Sequence, residues 1–90
     1  MQLDIRTYGA VREAFGAKTF THEASSGATV FDVLSDLDAE CTDISLLEEF
    51  EMETLLVLKN GTHVTQLEGV DTLLADGDRL SLTFQPMPEG

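Results

Sequence analysis

The chain opens on a short alternation. In "QLDIRTY" Leu3 and Ile5 are separated by Asp4 and Arg6, the two-residue period of a strand with one buried face. "KTFTHEA" alternates again, with Phe20 on one face and Thr19 and Thr21 on the other. Between them "VREAFG" is too short for a standard helix and closes on Gly16, so it predicts one or two helical turns joining an antiparallel pair. The period then changes. Val30, Leu34, Leu37 and Cys41 recur at i, i+4, i+7 and i+11 with Val33 beside them, which predicts a helix over Val30–Glu40 with one stripe on the core. Thr29 stands at its N-cap position with Asp32 three residues on, a box-like pair in which Glu or Gln is the favoured partner.

"SLLEEF" predicts a further short helical turn. The unbroken apolar run Leu55–Leu58 predicts a strand that is covered on both faces or central in its sheet. Asn60-Gly61 is a tight-turn signal, and "THV" returns as a brief strand. After "ADGD", Leu80, Leu82 and Phe84 alternate with Arg79, Ser81 and Thr83 in a final strand. The apolar phase of these elements puts Leu3, Ile5, Phe20, Val30, Leu34, Leu37, Leu56, Leu58, Leu80 and Leu82 in the core. Strand, strand, helix, strand, short strand, strand is an α+β order: a mixed sheet of about five strands packed on one main helix. Two hairpins joined by a helical crossover describe a ubiquitin-like β-grasp, and the right-handed crossover preference limits the alternatives. Its first and last strands should lie parallel and adjacent at the centre of the sheet. Residues 1–84 form this domain and residues 85–90 an extended tail. Pro86 and Pro88 lack amide donors and fix φ at about −65°, so the tail neither extends the sheet nor coils into helix.

Composition narrows the partners. Ninety residues, 42% of them hydrophobic, suit one small globular domain without an apolar run long enough to span a membrane. The N-terminus lacks a basic region ahead of an apolar one, so a cytoplasmic location is the default. Seventeen acidic residues against five basic ones give a net charge of −12, which repels nucleic-acid phosphate and anionic lipid; neither partner is expected. Acidity of this degree means attraction to a basic partner or a halophilic surface that stays hydrated in concentrated salt. The spread of acids from Asp4 to Glu89 favours the halophilic reading.

Candidate chemistry is sparse. Cys41 alone cannot make an internal disulfide, a zinc site or a cysteine-ligated cluster, and at the end of an apolar stripe it is expected to be a small buried hydrophobe. His22 and His63 lie on strands without a partnering Cys or Asp pattern, as surface or structural histidines. Glu48, Glu49, Glu51 and Glu53 read as a solvated helix end, because a hard-cation loop needs a set ligand spacing and a turn glycine. Asn60-Gly61-Thr62 matches a glycosylation acceptor but reads as a turn, and Gly61, Gly69 and Gly77 are turn glycines, not a phosphate loop. No catalytic group, metal or bound cofactor is expected. The domain reads as a substrate of other enzymes.

"TVFDVL", "VLKNG", "DTLLADGDRLSL" and the tail "FQPMPEG" together resemble the small subunit of molybdopterin synthase and its relatives, the thiamine sulfur carrier and the small archaeal modifier proteins. The resemblance covers nearly the whole chain and is specific in the combination. Members of that family close with a phenylalanine, a proline pair, two linking residues and a double glycine; counting from Phe84 places Gly90 on the terminal glycine and Glu89 on the penultimate one. In the family an adenylyltransferase resembling ubiquitin-activating enzymes uses ATP to adenylate the C-terminal carboxylate. The product is converted to a thiocarboxylate for molybdenum cofactor biosynthesis or joined to a lysine in an isopeptide bond. The resemblance therefore implies a ubiquitin-like sulfur carrier, protein modifier or both, with Gly90 as the carrier residue. It implies that Phe84, Pro86, Met87, Pro88 and Glu89 form the tail its partners grip. Those partners would be the activating enzyme, the large subunit of molybdopterin synthase and lysine-bearing targets. Glycine suits such a terminus because it lacks a side chain and threads a narrow channel. Glu89 puts bulk and charge beside the reacting carbon, which leaves three explanations: the partners accept it, a native residue follows Gly90, or the carrier role is lost. A non-covalent β-grasp binding module is the alternative function.

Overall fold

In the computed structural model, which describes residues 1–16, 19–40 and 45–84, the opening alternation is strand β1, Gln2–Thr7. It pairs antiparallel with β2, Thr19–Glu23, with Ile5 opposite Phe20. The connection is helix α1, Gly9–Phe15, which begins two residues before "VREAFG" because Tyr8 is extended and ends the strand. Gly16 closes the helix at φ 69°, where its amide donates to the Arg12 carbonyl at 2.8 Å; glycine takes that left-handed cap without a Cβ penalty.

Helix α2 runs over Val30–Glu40 as the periodicity predicts. The Thr29 amide donates to Asp32 Oδ2 at 3.0 Å and the Asp32 amide donates to Thr29 Oγ1 at 3.3 Å, so aspartate closes the capping box in place of glutamate. Val30, Val33, Leu34 and Leu37 are fully buried, and Cys41 lies outside the described residues. Helix α3, Leu46–Glu51, starts at Ser45, whose hydroxyl accepts from the Glu48 amide at 3.3 Å. The Asp38 carboxylate of α2 accepts from the Leu46 and Leu47 amides, which ties the two helices together.

The second half supplies β3, Leu55–Lys59, β4, Thr62–His63, and β5, Arg79–Phe84. The sheet order is β2-β1-β5-β3-β4, with β1 and β5 parallel at its centre as the β-grasp requires. Asn60 at φ 51° and Gly61 at φ 90° make the β3–β4 turn, both in the left-handed region that a two-residue hairpin loop demands.

The phase of β3 corrects the expected core. The register pairs Val57 with Leu82 and Leu56 with Thr83, so Leu55 and Val57 point at the helices and are buried. Leu56 and Leu58 face the other way and are only half-buried. The strand is interior to the sheet, between β5 and β4, but it is not covered on both faces; four consecutive apolar residues carry no period from which to read the phase. Phe20 is likewise half-buried, because β2 is an edge strand, and its ring packs 5.8 Å from that of Phe15. Val11, Leu46, Val64 and Leu74 complete the core from connections whose short apolar patterns gave no periodicity.

Candidate functional site

Strand β5 is the centre of the sheet and carries the chain out of it at Phe84. On one side the Tyr8 amide donates to the Leu82 carbonyl at 3.1 Å, extending the β1–β5 ladder by a rung. On the other, Leu55 is paired with Phe84 and Leu56 with Thr83. The last described residues of β5 are therefore held by sheet register between the end of β1 and the start of β3. Tyr8 is 40% exposed here, while Phe84 is half-buried against the core. The exposed phenol was not singled out in the sequence; its signal is an aromatic directly after a strand and before Gly9, at the level where the parallel partner strand ends.

Beside the exit a cavity of about 300 Å³ is lined by Phe50, Glu53, Leu55, Leu56 and Thr65. Glu53 lines it from the turn between α3 and β3, where it takes a left-handed φ of 63° and its amide donates to the Phe50 carbonyl at 3.1 Å. The Thr54 amide bonds the Glu49 carbonyl at 3.0 Å and the Thr54 hydroxyl meets the Glu49 carboxylate, which fixes the same turn. Apolar surface with one carboxylate at its edge can receive a side chain of another protein.

Basic side chains lie both beside the exit and toward the opposite end of β5. Arg12 Nε donates to the Thr7 carbonyl at 3.4 Å, next to Tyr8. On the sheet face turned away from α2, Asp4 Oδ2 lies 3.5 Å from Arg6 Nε and 3.3 Å from Arg79 Nε. The register sets Ser81 and Thr83 on that face with Leu56 and Leu58. In a chain of net charge −12 the outer sheet face thus combines two guanidiniums with apolar surface, a composition suited to a partner protein.

Of the residues assigned to the tail, Phe84 ends β5; Pro86, Met87, Pro88, Glu89 and Gly90 lie outside the described residues. His22 is not without an acidic partner: its Nε2 is 3.3 Å from Asp36 Oδ2, an edge-strand-to-helix contact between residues distant in the sequence. His63 is half-buried on β4. Among the described residues, no helix is long and apolar enough to cross a membrane.

Five strands in the order β2-β1-β5-β3-β4, with β1 and β5 parallel at the centre, are the ubiquitin-like β-grasp. The sequence model of the ThiS family matches residues 5–87, and the chain belongs to that family. It is 39% identical, over 93 residues spanning all of both chains, to small archaeal modifier protein 3 of Haloferax volcanii. The fold superposes on the solution structure of the Haloferax volcanii HVO 2177 protein with a TM-score of 0.86 at 36% identity, covering 99% of this chain and 87% of that one. It superposes on the crystal structure of small archaeal modifier protein 1 from the same organism with a TM-score of 0.75 at 23% identity, each chain covered completely, a likeness of fold alone.

Proposed function

We infer that this chain is a ubiquitin-like carrier activated at the carboxylate of Gly90, serving as a sulfur carrier, a protein modifier or both. The observation that supports it is the end of β5: the strand that runs to Phe84 is the middle one of the sheet and is paired on both sides, with β1 and with β3, so a terminus beyond it is presented from a rigid base. A free carboxylate is a poor electrophile. Attack of a Gly90 oxygen on the α-phosphorus of ATP, bound by an activating enzyme, releases pyrophosphate and leaves an acyl-adenylate. Hydrosulfide then attacks the acyl carbon and expels AMP to give the thiocarboxylate, or a lysine amine attacks the same carbon, loses a proton and expels AMP to give the isopeptide.

Both outcomes share one activation step and differ only in the nucleophile that follows it. In the sulfur branch the tail enters the large subunit of a molybdopterin synthase. The apolar residues beside the exit supply the grip, and the small terminal residue supplies access. The acidic surface supports a cytoplasm rich in salt as the working environment.

Mass spectrometry of the intact chain, recovered from its own cells, tests this. Replacement of one oxygen by sulfur marks the carrier, and a Gly90 remnant on target lysines marks the modifier. A carboxylate left unmodified in every growth condition would reject activation and leave a non-covalent β-grasp module.

A further inference from the structure

We propose that the groove between α2 and α3, on the side of the molecule opposite the outer sheet face, docks a basic amphipathic segment of a partner protein. The groove is a cavity of about 310 Å³ lined by Phe31, Leu47, Phe50, Glu51 and Val70. Phe31 is the telling residue. It lies in the first turn of α2, outside the buried stripe of Val30, Val33, Leu34 and Leu37, and it is 48% exposed. The helix does not need an aromatic there, since the capping box and the stripe already fix its start. Across the 3₁₀ turn Gly69–Asp71 a second hollow, of about 430 Å³, is lined by Leu67, Leu73, Thr72, Glu68 and Lys59. Leu67 is 46% and Leu73 62% exposed. Three of the large apolar side chains that the fold leaves in solvent therefore flank one 3₁₀ turn on the helix side, where neighbouring patches of this kind mark interaction sites.

Charge selects the occupant. Glu51 lines the first hollow and Glu68 the second, and Asp71 stands on the turn between them. Lys59 is the cation beside them, and it is held: Nζ donates to the Leu73 carbonyl at 3.1 Å and lies 3.7 Å from Asp78 Oδ2. A second copy of this chain would bring carboxylates against carboxylates, and an anionic lipid surface would be repelled in the same way. A helical segment with a large apolar anchor flanked by Lys or Arg meets both properties of the groove at once. This surface does not depend on Gly90, so it stands or falls separately from the carrier chemistry.

The test is an amide-shift titration of the isotope-labelled full chain with a synthetic leucine- and lysine-rich amphipathic helix. The same residues in scrambled order, vesicles of anionic phospholipid and the chain itself at rising concentration are the comparisons. The ordered peptide should move the amides of Phe31, Leu47, Phe50 and Val70. Phe31→Ala, at an exposed position, and Glu51→Lys should each weaken it by about tenfold with the remaining spectrum unchanged. Shifts confined to the outer sheet face, equal binding of the scrambled peptide, occupation of the groove by vesicles or by a second copy, or undiminished binding to Phe31→Ala would each overturn the proposal.

Discussion

Asn60 and Asp78, side chains from two turns 18 residues apart, are bonded to each other: Asn60 Nδ2 donates to Asp78 Oδ1 at 3.0 Å. The surrounding bonds make one unit of the two turns. Asn60 Oδ1 accepts from the Arg79 amide at 2.9 Å, and the Asn60 amide donates to the Arg79 carbonyl at 2.8 Å. Asp78 Oδ2 accepts from the Ala75 amide at 2.8 Å. Burial pushes the Asp78 carboxyl up, but the Ala75 amide, the Asn60 side chain and the Lys59 ammonium together hold it below the ordinary carboxylate value. The "NG" and "DGD" motifs are therefore a single lock that sets Lys59 opposite Leu80, and through that register brings Phe84 opposite Leu55 at the far end of the strand.

Removing the lock without straining the turn separates its hydrogen bonds from its backbone geometry. Asn60→Gly keeps the positive φ and loses both side-chain bonds, and it should destabilise by about 1–3 kcal/mol. Asn60→Ala should do worse by about 1 kcal/mol more, because its Cβ opposes the left-handed conformation. Denaturant midpoints of the two variants measure this; equal stability to the parent would show that the lock carries no energy.

The depressed carboxyl of Asp78 gives stability a sign with pH. A folded-state value below the unfolded one stabilises above the unfolded value and is lost as pH falls through the folded one, which here means below about 4. Asp78→Asn should be less stable than the parent at neutral pH, and the gap should narrow on acidification. A gap that stays constant down to acid-unfolded conditions would remove the charge from the account.

Elements with a period were legible in the sequence and elements without one were not. Val30, Leu34 and Leu37 fixed the face of α2, and Thr29 with Asp32 fixed its start, because a 3.6-residue repeat and a cap are local facts. The Leu55–Leu58 run conceals its phase, because four consecutive apolar residues suit either face, and only the pairing with β5 turns Leu55 and Val57 inward and Leu56 and Leu58 outward. Contacts made only by the crossover, such as His22 with Asp36, had no local signature. At the exit Phe84 could be read from alternation, whereas Tyr8 joins it through the parallel pairing of two strands at opposite ends of the chain.

That phase can be checked by a pair of truncations. Leu34→Ala empties a fully buried position under the sheet and should destabilise by about 2–4 kcal/mol. Leu56→Ala, on the outer face, should lose about 1 kcal/mol by the area it leaves in water. Thermal melts of both, read against the parent, decide the matter; an equal or larger loss at Leu56 would reverse the assignment of the faces.

A net charge of −12 on ninety residues opposes compaction until it is screened. Molar potassium chloride should therefore raise the melting temperature and sharpen the transition relative to low salt, with the parent gaining more than a variant in which several exposed glutamates are made glutamine. Midpoints that are flat across this range would remove the halophilic reading of the surface.

The terminal residue allows a test in which folding, docking and chemistry come apart. Among the described residues the buried core reaches Leu82, with Phe84 half-buried against it, and a terminal residue beyond the last strand adds little to a core, so deleting Gly90 should leave melting unchanged. The new terminus is Glu89, whose side chain is bulky and charged where a narrow channel takes glycine. Docking through the exit surface at Tyr8, Phe84 and Leu56 should survive, since apolar anchors supply the affinity. The shortened chain ought then to bind the cognate activating enzyme without reacting and to compete with the full-length protein. ATP–pyrophosphate exchange, run on each chain alone and on mixtures, reports all of this at once. Lost exchange together with inhibition in the mixture supports an activated carrier, whereas equal exchange from both chains would place the reacting carboxylate elsewhere and sink the assignment to Gly90.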